Sequence, residues 1–356
     1  MLVAALIVVV AGCGSNQAAS GRSDIGLGPL SPRNRPVAIA VGADVLVVGG
    51  NQFFCGPTED CARPQEAPLT DGAILDTTSN AWRSISPAPF GLEAGEVAHV
   101  GSDVFVLTQC EEHPSCPGER SVLQYSVDND VWSRRARVPG TGYHHLVVVN
   151  DQLFAVSASD ESPAADFRYQ AASDEWMALD PAPMPRVFDR FGVGVGDTLV
   201  LYGSPLDGAS QEKFVASYDL ANSTWTELGR APSLGWQVFD VEDTVVLNPH
   251  FSTGIGGLHD VAIDAWTSLP ERPDEESWDN DIAGVIGETS AHYEYGAGWM
   301  LDLRKNDWVE LPRTDSDAFD ASIVSVGNSL LVVGGHHWTD GEVRVDGGAT
   351  LWSPPG

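Results

Sequence analysis

Seven tryptophans, Trp82, Trp132, Trp176, Trp225, Trp266, Trp308 and Trp352, recur at spacings of 50, 44, 49, 41, 42 and 44 residues. Their flanks recur with them. Six residues before each stands Asp76, Ser126, Gln170, Asp219, Asp260, Asp302 or Asp346, and two before it Asn80, Asp130, Asp174, Ser223, Asp264, Asn306 or Thr350. Polar turn-formers hold both places, so what repeats is a unit of structure and not a composition. A period of about 40–50 residues belongs to radial arrays of small sheets.

The unit around Trp225 is the clearest. Residues 191–195 alternate, Gly196-Asp197 turns, residues 198–202 are apolar, residues 214–218 alternate and Trp225 opens a last short segment. That is four strands with turn signals between them. Apolar runs are densest in the first two strands, as at 37–41 with 45–48 and 323–326 with 330–333, which predicts inner strands covered on both faces. A carboxylate at the end of the third strand can accept N–H bonds from the turn after it. The Asx residue before tryptophan suits a tight hairpin. The indole is expected to fill the gap between neighbouring sheets, contributing about 2–3 kcal/mol.

Gly49-Gly50 and Gly334-Gly335 end second strands, Tyr218-Asp219 ends a third, and tryptophan follows six residues after the aspartate. This resembles the kelch motif of β-propellers, over residues 33–352. The resemblance implies an all-β fold: a seven-bladed kelch-like β-propeller with four antiparallel strands per blade, of the galactose oxidase and kelch type. Five copies replace the double glycine. After Trp352 only Ser-Pro-Pro-Gly remains, and the segment from Ser23 to Leu30 is expected to supply the missing outer strand and close the ring.

Residues 2–10 are an unbroken apolar run, too short to span a bilayer. They lead into Val10-Ala11-Gly12-Cys13, which resembles the lipobox of bacterial lipoproteins. The resemblance implies removal of a signal peptide at 1–12, acylation of Cys13 by chains such as palmitate, a flexible tether at 13–22 and a single propeller domain at 23–356. The address is then the outer side of the cell membrane, with the membrane touched only through the lipid. Cys55 and Cys61 enclose five residues, as do Cys110 and Cys116, and four cysteines in an exported chain read as two disulfides. Three connectivities are possible, of which the two local pairs are preferred. A zinc site with His113 is the competing reading, although zinc spacings usually place two to four residues between cysteines.

The net charge of −31, from 50 acidic against 19 basic side chains, repels polyanions and excludes a nucleic-acid partner. Aligned on the repeat, Arg35, Tyr143 with His144, Arg190, Trp236, Asp281 and Asp320 stand where the inner strands begin, and His336 follows the last double glycine. A ring gathers such positions at one mouth. Arg35, His144, Arg190, Trp236, Asp281 and His336 are therefore the candidate ligand-binding residues, suited to a sugar or an acidic metabolite. No complete catalytic set is present: the two tyrosines, two histidines and tyrosine-linked cysteine of the copper oxidases cannot be matched. No cofactor and no metal site are expected, since adjacent histidines such as His144-His145 point to opposite faces of a strand. The expectation is a monomeric binding scaffold for a protein or glycan. The alternative is a mutarotase- or oxidase-like enzyme acting on a carbohydrate at the mouth.

Overall fold

The computed structural model describes residues 21–53, 67–93, 95–108, 121–140, 142–158, 165–206, 212–231, 238–241, 244–247, 256–270, 282–286, 289–294, 297–303, 305–310, 320–339, 342–345 and 347–353. Among them every regular element is a β-strand. The chain opens with β1 (Gly21–Asp24). The first sheet is β2 (Val37–Val41), β3 (Asp44–Val48), β4 (Gly72–Asp76) and β5 (Ala81–Ser84). The second is β6 (Glu96–Val100), β7 (Asp103–Leu107), β8 (Val122–Ser126) and β9 (Val131–Arg135). The third is β10 (His144–Val149), β11 (Gln152–Ser157), β12 (Phe167–Gln170) and β13 (Glu175–Ala178).

The fourth sheet, β14 (Val187–Val195), β15 (Thr198–Pro205), β16 (Phe214–Asp219) and β17 (Thr224–Glu227), has the longest inner hairpin. The fifth is β18 (Val238–Val241), β19 (Thr244–Leu247), β20 (Gly257–Asp260) and β21 (Ala265–Ser268). The sixth is β22 (Ile282–Ile286), β23 (Thr289–Glu294), β24 (Ala297–Asp302) and β25 (Asp307–Glu310). The seventh joins the two ends of the chain: β26 (Ser322–Val326), β27 (Ser329–Val333), β30 (Ala349–Ser353) and then β1. A two-stranded ribbon, β28 (His336–Thr339) with β29 (Glu342–Val345), projects between β27 and β30. Each first strand touches the first strand of the next sheet, and β26 touches β2. Four-stranded antiparallel sheets in such a circuit fit a β-propeller.

The core is a set of layers between sheets. Alternation along a strand sends successive side chains to opposite faces, so Leu46 and Val48 pack with Val104 and Val106 of the second sheet, while Val45 and Val47 pack with Leu331 and Val333 of the seventh. Second strands are accordingly buried along nearly their whole length and fourth strands are largely exposed. First strands are only partly covered, which corrects the expectation that both inner strands are enclosed on two faces.

The recurring polar residues have separable duties. Asp76 Oδ1 accepts the N–H groups of Thr78 and Ser79, and the hydroxyls of both also bond its carboxylate. Those bonds, led by the Thr78 hydroxyl, hold its carboxyl down to about 2. Asp219 and Asp260 cap their own turns the same way. The residue two before each tryptophan, from Asn80 to Asn306, has a left-handed backbone with φ of 50–56°. Asn and Asp tolerate that region better than other side chains bearing a Cβ.

Four of the tryptophans, Trp132, Trp176, Trp225 and Trp308, tie their sheet to the one before. Trp132 Nε1 donates to the Ser86 carbonyl at 2.8 Å, and Asp130 Oδ1 accepts the N–H of the same Ser86 at 2.7 Å. In the next copy Trp176 donates to the Ala136 carbonyl and Asp174 accepts the Ala136 N–H. Trp225 bonds the carbonyl of Asp180, Trp308 that of Pro270, and Asp264 accepts the N–H of Gly229. Every one of these targets lies four residues beyond the preceding tryptophan. Tyr125 and Tyr169 brace the arrangement, each donating its hydroxyl to the aspartate and lying about 5 Å from the indole.

The seventh tryptophan does not belong to this set. Trp352 lies on the third strand of its sheet, opposite Arg22 of β1, in the register place held elsewhere by Leu75, Tyr125, Tyr169, Tyr218, His259 and Leu301. Thr350 is within β30 and pairs with Asp24, while Asp346 lies outside the described residues. The β28–β29 ribbon lengthens the connection before β30, which brings a third-strand tryptophan to the repeat spacing by coincidence. The outer strand is Gly21–Asp24, earlier in the chain than the expected 23–30 and starting inside the expected tether.

Replacing Asp130 by Ala removes acceptors for the Ser86 N–H, the Ser86 hydroxyl and the Tyr125 hydroxyl, and places alanine in left-handed backbone. Urea unfolding is expected to show a loss of roughly 2–3 kcal/mol, and about half that for Asp130→Asn. The Ser86 N–H and the Tyr125 hydroxyl hold the Asp130 carboxyl below its usual 3.8, and the Ala136 N–H leads the same effect at Asp174. Their contribution is complete above the unfolded value near 3.8 and is lost as pH falls through the lower folded values. The double variant Asp130→Asn, Asp174→Asn should therefore show a shallower acid limb; an unchanged limb removes these carboxylates from the account.

Candidate functional site

First and third strands begin, and second strands end, at one end of the ring. Most of the buried polar side chains collect at this mouth: Arg33, Asn34, Asn51, Thr108, Ser121, His144, Ser157, Asp166, Arg190, Ser204, Lys213 and His336. The opposite end carries the hairpin turns.

Of the candidate residues, Arg35 is half exposed, with a left-handed φ of 48° and its guanidinium 3.3 Å from Glu93 Oε1. Its N–H donates to the carbonyl of Asp320, and Asp320 Oδ2 lies 3.8 Å from Nδ1 of buried His336. Arg35 and His336 thus meet through Asp320, at the junction of the seventh and first sheets. Beside them Arg33 is fully buried and forks onto Asp71 at 2.8 and 3.2 Å while donating to the Gly49 carbonyl. The double glycines are required here. Gly50 (φ 90°) and Gly334 (φ 69°) lie against the carbonyls of Asn34 and Arg33, where a Cβ would come within 2.6 and 2.4 Å.

A second group forms between the third and fourth sheets. His144 is buried with its ring 5.9 Å from Phe167, and it stands in register with Ser157. Arg190 donates to the Ser157 carbonyl and forks onto Asp166 at 2.5 and 2.6 Å, both partners 2% exposed. Asp166 also accepts the Ser157 N–H. The Arg190 fork is therefore engaged by a carboxylate of its own chain. β14 begins at Val187, with a bulge between Phe188 and Phe191, so Arg190 lies within the first strand, near its mouth end, and not ahead of it. Trp236 and Asp281 lie outside the described residues, as do Cys13, Cys55, Cys61, Cys110 and Cys116.

His144 and His145 do point apart. His145 Nδ1 lies 3.1 Å from Glu96 Oε1 on the neighbouring sheet. Burial opposes its protonation, but the hydrogen bond and charge of Glu96 outweigh burial and raise it. Among the described residues no group of three His, Cys, Asp or Glu is placed to hold a metal ion.

Sequence reasoning passed over Lys213, the one buried lysine. It is 2% exposed and stands one residue before β16, with Nζ 2.8 Å from Ser204 Oγ and 5.1 Å above the Phe191 ring. Burial lowers its amine to about 8, against the opposing charge of Asp189. Burial likewise raises the Asp189 carboxyl, opposed by Lys213. The signal was present: the chain has only two lysines, and this one occupies the place where Asp71 and Asp166 precede their third strands.

No protein-family model matches the chain, and no curated protein matches it. Among solved structures, one described as "Structure of YjhT" aligns with a TM-score of 0.48 at 12% identity, covering 90% of this chain and 98% of that one.

The Arg190–Asp166 pair gives a test of whether that group is structural. Arg190→Ala leaves Asp166 buried and unpaired, which should cost about 3–5 kcal/mol. The volume-matched Arg190→Met, Asp166→Leu variant should recover most of that loss in denaturant melts. A small cost for Arg190→Ala alone would mean that the carboxylate reaches water and the site is open.

Proposed function

We propose that the chain is a seven-bladed, kelch-like propeller, exported and lipid-anchored through Cys13, that works as a binding scaffold with its mouth as the binding face. The observation that carries this reading is the gathering of buried polar and charged side chains at that one end, in a fold whose other layers are apolar. Exposed Tyr143 and Arg35 stand on the rim of the same end, suited to a glycan or the surface of a protein partner. Tyrosine supplies broad contact area at small entropic cost, and arginine supplies directed hydrogen bonds.

The anchor and the mouth are compatible. Gly21 pairs with Ser353 where the third strand ends, at the turn end of the ring. Seven residues lie between Cys13 and Gly21, and the eight Cα–Cα steps reach at most about 28 Å. A lipid at Cys13 therefore presents the mouth away from the bilayer. Two acyl chains suffice for stable anchoring where one is marginal. Local disulfides Cys55–Cys61 and Cys110–Cys116 would order the segments that link the second and third strands of the first two sheets.

Cys13→Ser should move the protein from the membrane fraction to the medium; retention of the variant with membranes, with no lipid on the wild type by mass spectrometry, removes the anchor. For the scaffold, a glycan and metabolite array is screened with the full chain and with Tyr143→Ala and Arg35→Ala. A hit weakened about tenfold or more in either variant, equivalent to about 1.4 kcal/mol, supports the mouth. A hit indifferent to both moves the site to the turn end.

A further inference from the structure

Three sheets carry the same polar brace, and one of them builds it from a titratable group. In the second and third sheets the third-strand tyrosines Tyr125 and Tyr169 donate their hydroxyls to Asp130 and Asp174, two residues before the tryptophan. In the fifth sheet the same register place, opposite Trp266, holds His259. Its Nε2 lies 3.1 Å from Asp264 Oδ1, and its ring stacks on Trp266 with centroids 4.1 Å apart and planes 6° from parallel. Asp264 Oδ2 accepts the N–H of Gly229, on the link from the fourth sheet.

The imidazole does one thing those tyrosines do not. Its Nδ1 lies 2.9 Å from the hydroxyl of Tyr202 on β15, so a bond crosses from the fifth sheet to the fourth between two fully buried residues. Both ring nitrogens are engaged, and one neutral tautomer serves both partners: Nε2 donates to the carboxylate and Nδ1 accepts the phenol proton. A proton added at Nδ1 turns that acceptor into a donor facing a donor. Among the described residues the Tyr202 hydroxyl has no second partner to turn to, and burial keeps the phenol from ionising.

The charges around the ring act in opposite directions. Asp264 and Asp260, on the turn beside it, favour the protonated form, and the Trp266 face can share a positive charge. On the fourth-sheet side Arg230 lies over the Phe214 ring, and buried Lys213 stands over Phe191, which stacks on Tyr202. Burial is the largest influence and lowers the imidazole below its ordinary 6.5 against both aspartates. We propose that His259 is a pH-sensitive latch between the fourth and fifth sheets, closed on Tyr202 when neutral and released from it when protonated. The contribution of the cross-sheet bond is complete above the unfolded value near 6.5 and is lost as pH falls through the lower folded value. β15 runs on from this bond to Pro205 at the mouth, so the strand that is loosened reaches that end of the ring.

The test is amide hydrogen exchange with mass spectrometry on the full chain between pH 7.5 and pH 5, with rates corrected for the intrinsic pH dependence of exchange. Peptides from β15 and β20 are expected to lose protection about tenfold or more. Those from β4 and β8, whose junction is closed by Tyr125 and Asp130, should keep theirs. His259→Gln offers an amide N–H to Asp264 and a carbonyl to Tyr202 with nothing to titrate, so in that variant the loss should vanish. Tyr202→Phe deletes the phenol, and its β20 should exchange at pH 7.5 as the wild type does at pH 5. A wild-type β20 that stays protected at pH 5, or an equal loss in His259→Gln, overturns the proposal. Wild-type exchange in Tyr202→Phe at pH 7.5 overturns it too, because the phenol then latches nothing. Should His259→Gln fail to fold, the contrast between β20 and β8 in the wild type decides alone.

Discussion

The fold depends on one link residue per interval being bonded through its backbone to the next sheet, through both groups at Ser86 and Ala136 and through one at Asp180, Gly229 and Pro270. Ser86 is the type: its N–H goes to Asp130 and its carbonyl to Trp132. It sits on the link leaving one sheet, so the sheet that follows is docked before its own inner strand begins. Neighbouring first strands offer little else that is directional, since the layers between sheets are aliphatic and would tolerate sliding. Hydrogen bonds to a fixed backbone point set the register of sheet on sheet. The copies divide the work between two carboxylate positions. Where aspartate lies six before tryptophan it organises its own turn, as Asp76 and Asp219 do; where it lies two before, as Asp130 and Asp174 do, it reaches across to the previous sheet. Asp260 and Asp264 do both in one copy.

The interval between the seventh and first sheets does not use this device, since Trp82 Nε1 finds no hydrogen-bond partner among the described residues. The junction with the first sheet is held instead by chain continuity and by close backbone approach. The chain leaving β1 lays Gly28 flat on the Trp82 ring, with no room for a side chain, then passes Arg33 between the sheets, where its carbonyl accepts the Gly335 N–H and its guanidinium closes on Asp71. The double glycines survive only in the two copies that flank this junction. Their conformational freedom is needed where an extra segment of backbone is squeezed between sheets, which accounts for their absence from the other five copies.

The period, the four-strand unit and the two polar positions were legible because each is imposed by short-range geometry: a turn that needs an acceptor, a left-handed residue, a flat side chain at a fixed offset. The closing strand was legible in part, since a sheet ending soon after its third strand needs a partner. Trp352 was misassigned because spacing alone cannot tell a third strand from a fourth; the missing left-handed residue before it, at Thr350, was the available warning. The partners of Arg190 and Arg33 were not legible at all. Asp166 and Asp71 are ordinary loop aspartates in sequence, and only the ring brings them under the guanidinium groups.

Those two pairs change what the mouth means. A buried arginine already forked onto a carboxylate, half-exposed at Asp71 and buried at Asp166, has its donors directed and its charge cancelled, so Arg33 and Arg190 stiffen the mouth and leave little for a ligand. Sequences tend to break their own local rules at working positions. The rule at this end of the ring is a buried charge with an opposite charge against it, kept at Asp71 and Asp166 and broken at Lys213. The fourth sheet also departs in its backbone, with the longest inner hairpin, the bulge and the left-handed Asp189 beside the amine. Two departures at one place, one in side-chain charge and one in backbone, distinguish the fourth sheet from the other sheets at this end.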